Sequence, residues 1–150
     1  MTTVYDVPAK ALIDEVAKKF ASDTAIEMPE QNTYSKTSVA RENIPDNRDW
    51  WYVRCASILR KIYIKNGIGI EHLKAEYGGK RDRGSKPYKA RSGSGTVVRR
   101  AVQQLETAGY VTRIKGKGRV ITPKGQSFLD NAAKGVVNQI QSSYPGIEKY

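Results

Sequence analysis

The sequence has only one cysteine, Cys55, and one histidine, His72. A single cysteine cannot form an internal disulfide framework. A zinc site made of cysteines and histidines and a nucleophilic triad are nearly excluded, since each needs more of these residues. The carboxylates Asp14 and Glu15 lie among cations, without the apolar pocket in which carboxylates act as acid–base catalysts. The sequence therefore predicts a protein that is no enzyme and has no metal and no cofactor.

Long hydrophobic runs and acidic residues are also scarce. No apolar run approaches the roughly 18 residues of a membrane-spanning helix, and no signal peptide begins the chain, so we expect a cytoplasmic protein without a membrane partner. The 15 acidic residues stand against 26 Lys and Arg, which gives a formal net charge of +11. Such an excess draws a protein toward polyanions and makes nucleic acid the leading partner class. The 150 residues, 39% of them apolar, predict one domain over 1–150.

The stretch 94–126 predicts a helix, a two-stranded hairpin and a second helix. Val98, Ala101, Val102 and Leu105 repeat at helical spacing, and a glycine that favours a left-handed helix cap follows at 109. Residues 110–114 and 119–122 are rich in β-branched side chains, and the sequence KGKG between them predicts a turn. This order is typical of the second half of a winged helix-turn-helix.

Three further helices are predicted around this unit. One begins at Pro8 and has an apolar stripe that reaches Phe20; the longest covers residues 50–66, with Asp49 as its N-cap; a short one follows from Ile70. Residues 22–48 lose periodicity and predict a loop, and residues 1–6 and 142–150 predict loose ends. The fold class is therefore mainly α, a helical bundle with a winged helix-turn-helix-like core and one small β-hairpin.

The segment 78–95 combines glycine with basic residues and predicts a flexible loop. Six cations stand against Asp82 alone, a local net charge of +5. Such a segment buries too little apolar area to offset its chain entropy, but it orders against a polyanion whose phosphates its cations neutralise. Tyr88 within it could stack on an exposed base. The other interpretation is a solvated linker.

The long helix also contains cations, with no acid after Asp49. Such a run on a buried helix needs an anionic neighbour, and phosphate is a natural one. Trp50, Trp51 and Tyr52 at its start either pack in the core, which we favour, or stack on RNA bases. Cys55 lies on the apolar face and is predicted to be a small buried hydrophobe.

Two functions fit a basic winged helix. A transcription regulator presents its recognition helix to the DNA major groove, and Arg99 and Arg100 suit that role. An RNA-bound structural protein fits better the charge spread over the long helix, the basic loop, the recognition helix and the hairpin. RNA is therefore favoured, and a winged-helix DNA-binding transcription regulator remains the alternative.

Four stretches resemble the small-subunit ribosomal protein S-nineteen of the eukaryotic and archaeal type. They are DWWYVRCASILRKIYIKNGIGI from residue 49, YGGKRDRG from 77, SGSGTVVRRAVQQLE from 92 and GRVITPKGQSFLD from 118. The motifs occur in the family's order, the match spans nearly the whole chain, and the compact chain looks archaeal.

The resemblance implies a winged-helix-like bundle in the head of the small ribosomal subunit. It also implies contact with ribosomal RNA and neighbouring ribosomal proteins, a role in subunit maturation and translation, and a chain that is monomeric when free. The residues expected to bind RNA are basic and come from the long helix, the 78–95 segment, the recognition helix and the hairpin: Arg54, Arg60, Lys61, Lys80, Arg81, Arg83, Lys86, Lys89, Arg91, Arg99, Arg100, Lys115, Lys117 and Arg119.

Overall fold

The computed structural model describes residues 2–149, and within this range the chain is mainly α-helical, as predicted. Short 3-10 helices lie at Val4–Asp6, Glu30–Asn32 and Ile147–Lys149. The helices and strands, in chain order, are α1 (Ala9–Ala21), α2 (Trp50–Lys65), α3 (Ile70–Glu76), β1 (Gly79–Arg83), β2 (Lys86–Arg91), α4 (Gly95–Thr107), β3 (Val111–Ile114), β4 (Gly118–Ile121) and α5 (Pro123–Ile140).

The core forms around α2, which packs against α1, α4 and α5. The apolar stripes of α1, α2, α4 and α5 all point into this core, because each repeats at the helical period and so lies on one side of its helix. The buried side chains that make up these stripes are Leu12, Val16, Ala17 and Phe20 in α1; Trp51, Cys55, Ile58, Leu59 and Ile62 in α2; Val98, Ala101, Val102 and Leu105 in α4; and Leu129, Ala132, Ala133 and Val136 in α5.

The winged-helix unit consists of α3, α4 and the antiparallel hairpin β3–β4, the wing, whose turn is residues 115–117. Gly109 adopts a φ of +82°, so its predicted left-handed conformation after α4 is confirmed. The wing is fixed to the turn between α2 and α3, because Ile68 and Arg119 exchange two backbone hydrogen bonds of 3.1 and 2.9 Å. At the start of α5, the hydroxyl of Thr122 accepts a hydrogen bond from the backbone N–H of Gly125 at 3.2 Å.

The predicted start of α2 at Trp50 is confirmed, whereas its side-chain cap and its C-terminal end differ from the prediction. Asp49 occupies the N-cap position, but its side chain makes no capping hydrogen bond. The N–H of Trp50 instead donates to the backbone carbonyl of Asn47 at 3.3 Å. At the other end the helix stops at Lys65, and Asn66 takes the left-handed conformation with a φ of +48°. Asparagine tolerates that conformation better than most residues.

The largest correction concerns residues 78–95, which form a second hairpin, β1–β2, instead of the predicted loop. Its turn is residues 84–85, where Gly84 has a φ of +67°, as the first residue of a type II′ hairpin turn requires. Every residue of both strands is exposed, so the alternation of apolar and polar residues that reveals a half-buried strand is absent. The prediction of a loose N-terminal end is wrong at the 3-10 helix Val4–Asp6, because Val4 is fully buried in the core. Met1 and Tyr150 lie outside the described residues.

Candidate nucleic-acid interface

The side chain of Tyr77, just after α3, contacts three side chains of α2 in the candidate surface. The guanidinium carbon of Arg54 lies 4.1 Å from the ring centroid, and the ammonium of Lys61 lies 4.7 Å from it. The hydroxyls of Tyr77 and Ser57 are 2.7 Å apart and share a hydrogen bond. Arg54, Ser57 and Lys61 follow one another along a single face of α2, so the ring fixes this face to α3 by cation–π attraction and a hydrogen bond.

The cations at the end of α2 have an acidic neighbour that the sequence did not indicate. Lys61 donates to Glu76 at 2.7 Å, and Lys65 donates to the other oxygen of the same carboxylate. These hydrogen bonds and positive charges lower the pKa of Glu76 from 4.5 to about 2. Lys61 therefore has its counterion within the chain, whereas Arg54 and Arg60 make no ion pair with a described carboxylate.

We expect the folded protein to keep Glu76 ionised well below the usual range of a glutamate. Because the pKa is lowered by folding, this carboxylate stabilises the fold above about pH 4.5, and its contribution is lost as the pH falls toward about 2. A ¹³C NMR titration of the Glu76 carboxyl should give a midpoint near 2 in the native chain. In a Lys61→Met, Lys65→Met double variant the midpoint should return toward the ordinary value. A midpoint near 4.5 in the native chain would contradict the paired geometry.

Arg54 also lines a groove of about 680 Å³ between α2 and the loop that precedes it. Arg41, on that loop, lines the same groove, and the aromatic rings of Trp50 and Tyr77 border it. Burial lowers the pKa of the Arg54 guanidinium, and the positive charge of Arg41 lowers it further. Arginine stays charged at neutral pH, and within residues 2–149 neither guanidinium has a carboxylate within ion-pair distance. The groove thus holds two cations without an ion pair in the described chain, and the carboxylates of Glu42 and Asp46 line it as well.

Arg60 lies on α2, where it is half-buried. Its Nε atom is shielded from solvent and has no hydrogen-bond partner among the described residues. An unpaired buried donor costs free energy, commonly about 1–3 kcal/mol.

The hairpin β1–β2 exposes six of the predicted RNA-binding cations to solvent. Near its base the hairpin lies beside the 36–41 loop, since a Cβ atom added at Gly79 would sit 3.5 Å from Cβ of Ala40. Tyr88 is 61% exposed, so its ring is accessible as the base-stacking prediction requires. The cations of this hairpin, all exposed, are Lys80, Arg81, Arg83, Lys86, Lys89 and Arg91.

The remaining predicted residues differ in their surroundings. Arg99, Lys115 and Lys117 are exposed. Arg100 donates to the amide oxygen of Gln31. Arg119 differs from the rest, since its Nε donates to Glu106 at 2.9 Å and its side chain is only 16% exposed. Arg119 therefore stabilises the wing within the chain, and its role in RNA binding stays a prediction.

The aromatic start of α2 is mainly a packing feature. Trp51 is fully buried, and its indole N–H donates to the side-chain oxygen of Gln104 at 3.0 Å. Trp50 is half-buried and packs edge-on against Trp51. Cys55 is fully buried, as predicted, and burial raises the pKa of its thiol to about 12. The single histidine, His72, is exposed.

Sequence reasoning missed the partners of the basic residues more than the residues themselves. Glu76 and Tyr77 come from α3, and Arg41 comes from the preceding loop, so their approach to α2 depends on tertiary packing. The one sequence signal for these contacts is Tyr77, an aromatic residue directly after α3. Across the described part of the chain, no helix is long and apolar enough to cross a membrane, and no cluster of three or more metal-ligating side chains forms.

Known proteins match this chain over most of its length. The family model described as ribosomal protein S19e matches residues 3–139. A small ribosomal subunit protein eS19 of Thermoplasma acidophilum is 45% identical, with 100% of this chain and 99% of the relative covered. Another eS19 from Aeropyrum pernix is 41% identical with the same coverage, and an eS19G from Ascaris suum is 36% identical over 88% of this chain and 90% of its own. The resemblance inferred from four sequence stretches is thus confirmed over the full chain, which belongs to the ribosomal protein S19e family.

Proposed function

We propose that this chain is a structural, noncatalytic constituent of the small ribosomal subunit. It binds ribosomal RNA in the head of the subunit, contacts neighbouring ribosomal proteins, and supports subunit maturation and translation in the cytoplasm. The observation that carries the proposal is the full-length match to relatives that are themselves named small ribosomal subunit protein eS19. Free in solution, the chain is a monomer.

The charge distribution supports RNA more than a DNA duplex. A winged-helix regulator concentrates its contacts on the recognition helix and the wing. Here unpaired cations also lie in the groove at Arg54 and Arg41 and along the hairpin β1–β2. Because RNA folds into irregular surfaces, it can meet cations on several sides of a protein, and a straight duplex cannot.

Sedimentation tests this function. A tagged chain in a cell extract is run through a sucrose gradient at about half-molar salt, where the Debye length is only a few ångströms and loose electrostatic attachment is screened. We expect the chain to remain with the small subunit. If it floats free while duplex DNA captures it sequence-selectively, the chain is a regulator and the proposal is wrong.

Charge reversal of the interface is expected to reduce incorporation into the subunit. Arg54→Glu replaces an unpaired groove cation, and Arg100→Glu replaces a cation on α4; both should lower the bound fraction at least several-fold. Lys134→Glu is the matched control, because it makes the same charge change at an exposed position of α5. Circular dichroism should show all three variants folded. If either arginine variant unfolds, or if Lys134→Glu is lost from subunits equally, the assignment of that arginine to RNA fails.

A further inference from the structure

The register of the hairpin β1–β2 divides its cations unequally between its two faces. Gly79 pairs with Arg91, Arg81 with Lys89, and Arg83 with Lys86. Residues directly opposite in an antiparallel pair point to the same face, and so do residues two apart along a strand. The paired rows therefore place five cations on one face, which we call the cation face: Arg81, Arg83, Lys86, Lys89 and Arg91.

The opposite face has a different composition. Lys80 pairs with Ala90, and both alternate with the residues of the cation face, as do Asp82 and Tyr88. The extra residue that shifts the register between the rows Arg81–Lys89 and Arg83–Lys86 lies on β2, a bulge that leaves the paired cations on one side. Lys80 is thus separated from the other five cations, although all six are close in the sequence.

The cation face opposes like charges directly, which destabilises a hairpin. Arg81 faces Lys89, and Arg83 faces Lys86. Asp82 does not relieve this repulsion, because it is on the other face and its carboxylate accepts from the backbone N–H of Gly84 at 2.8 Å. Among the described residues, no carboxylate lies within ion-pair distance of any cation of this face.

The wing shows what an internally compensated pair looks like. There Arg113 also faces Arg119 across two antiparallel strands. However, Glu106 of α4 reaches Arg119 at 2.9 Å and supplies the negative charge from within the chain. The hairpin β1–β2 has the same kind of like-charge pair twice, without such a compensating acid in the described chain.

We propose that the cation face of β1–β2 is the surface that binds the RNA backbone, and that phosphates supply the negative charge between the opposed cations. This proposal rests on the proposed function and makes it more specific. Each phosphate that neutralises a cation also releases counterions, so binding is strongest at low salt. Lys80 and Tyr88, on the opposite face, do not contribute phosphate contacts.

The test compares one lysine from each face. Full-length wild-type protein, Lys89→Gln and Lys80→Gln are titrated against a fluorescein-labelled RNA duplex of about 20 base pairs over a range of salt concentrations. Both lysines are exposed strand residues in adjacent paired rows, so the substitutions are chemically identical and neither removes a core contact. Circular dichroism checks that each variant is folded.

For Lys89→Gln we expect the magnitude of the slope of log K against log salt to fall by about 0.7–0.9, one phosphate contact. If the variant and the wild type bind equally near 1 M salt, this slope difference makes the variant's affinity about five- to eight-fold weaker than that of the wild type at about 0.1 M salt. Lys80→Gln should match the wild type in slope and affinity. Arg81→Gln combined with Lys89→Gln should lower the slope about twice as much as Lys89→Gln alone.

The other outcomes overturn the proposal. Equal losses for Lys80→Gln and Lys89→Gln would mean that the hairpin acts through total charge and has no binding face. No loss for either variant, with wild-type binding intact and the chain still sedimenting with the subunit, would exclude this face and leave the ribosomal function standing. If the wild type neither binds the RNA nor sediments with the subunit, both proposals fail.

Discussion

Replacing Trp51 by alanine is expected to lower the free energy of unfolding by about 3–5 kcal/mol, the range for removing a large aromatic side chain from a packed core. Trp51 is fully buried at the start of α2, where the core meets α4. The change leaves a cavity that the surrounding helices fill only in part. It also leaves the side-chain oxygen of Gln104 without its indole partner at 3.0 Å. Urea denaturation followed by circular dichroism measures the loss without relying on the tryptophan signal.

The adjacent tryptophan provides the control. Trp50 is only half-buried and borders the groove, so Trp50→Ala should cost less, about 1–2 kcal/mol, in proportion to the smaller apolar area buried. Equal losses for the two variants would show that both rings are core residues. A smaller loss for Trp51→Ala would contradict the burial described above.

A glycine-to-alanine change in α5 is expected to destabilise the protein at one position and stabilise it at another. At Gly125 an added Cβ would lie 2.4 Å from the carbonyl oxygen of Tyr110 and 2.9 Å from Ile121. Tyr110 contributes a backbone atom, which no side-chain rotation moves away, and the same carbonyl accepts a hydrogen bond from the N–H of Thr122 at 3.0 Å. We expect Gly125→Ala to lower the free energy of unfolding by about 1–3 kcal/mol, as overpacking does.

Gly135 lies in the same helix, and nothing lies within 4 Å of a Cβ placed there. Gly135→Ala should raise the free energy of unfolding by about 0.4–1 kcal/mol, because alanine restricts the unfolded chain and favours helix. Thermal unfolding of both variants in the same buffer decides the comparison. If both changes stabilise, the close approach of α5 to Tyr110 is not present in solution.

The local pattern of the sequence was sufficient to predict the helices. The stripe from Val98 to Leu105 predicts which side of α4 is buried, since periodicity and burial have the same cause. The hairpin β1–β2 was predicted as a loop because all of its residues are exposed and no apolar alternation marks its strands. Its pairing depends on the turn at Gly84, one glycine among several in that segment.

The sequence predicts which basic residues form the candidate site, but not which of them are paired with an acidic residue of the chain. Arg54 and Lys61 are both basic residues of α2, and the sequence treats them alike. In the fold both contact the ring of Tyr77. Lys61 also meets Glu76, fifteen positions away, whereas Arg54 has a second arginine, Arg41, as its charged neighbour. Only the packing of α3 against α2 distinguishes a neutralised cation from one that still needs an anion.

The backbone exchange between Ile68 and Arg119 also covers part of an exposed strand edge. The outer edge of a hairpin presents unpaired N–H and C=O groups on which another chain can add a strand. On β4 the groups of Arg119 are occupied by Ile68 at 3.1 and 2.9 Å, so a second copy finds this edge closed at that point. The open edge belongs to β3, where Arg113 is exposed and adds a charge that discourages stacking of one chain on another. The turn that orients the wing thus also limits strand addition between copies of the chain at this edge.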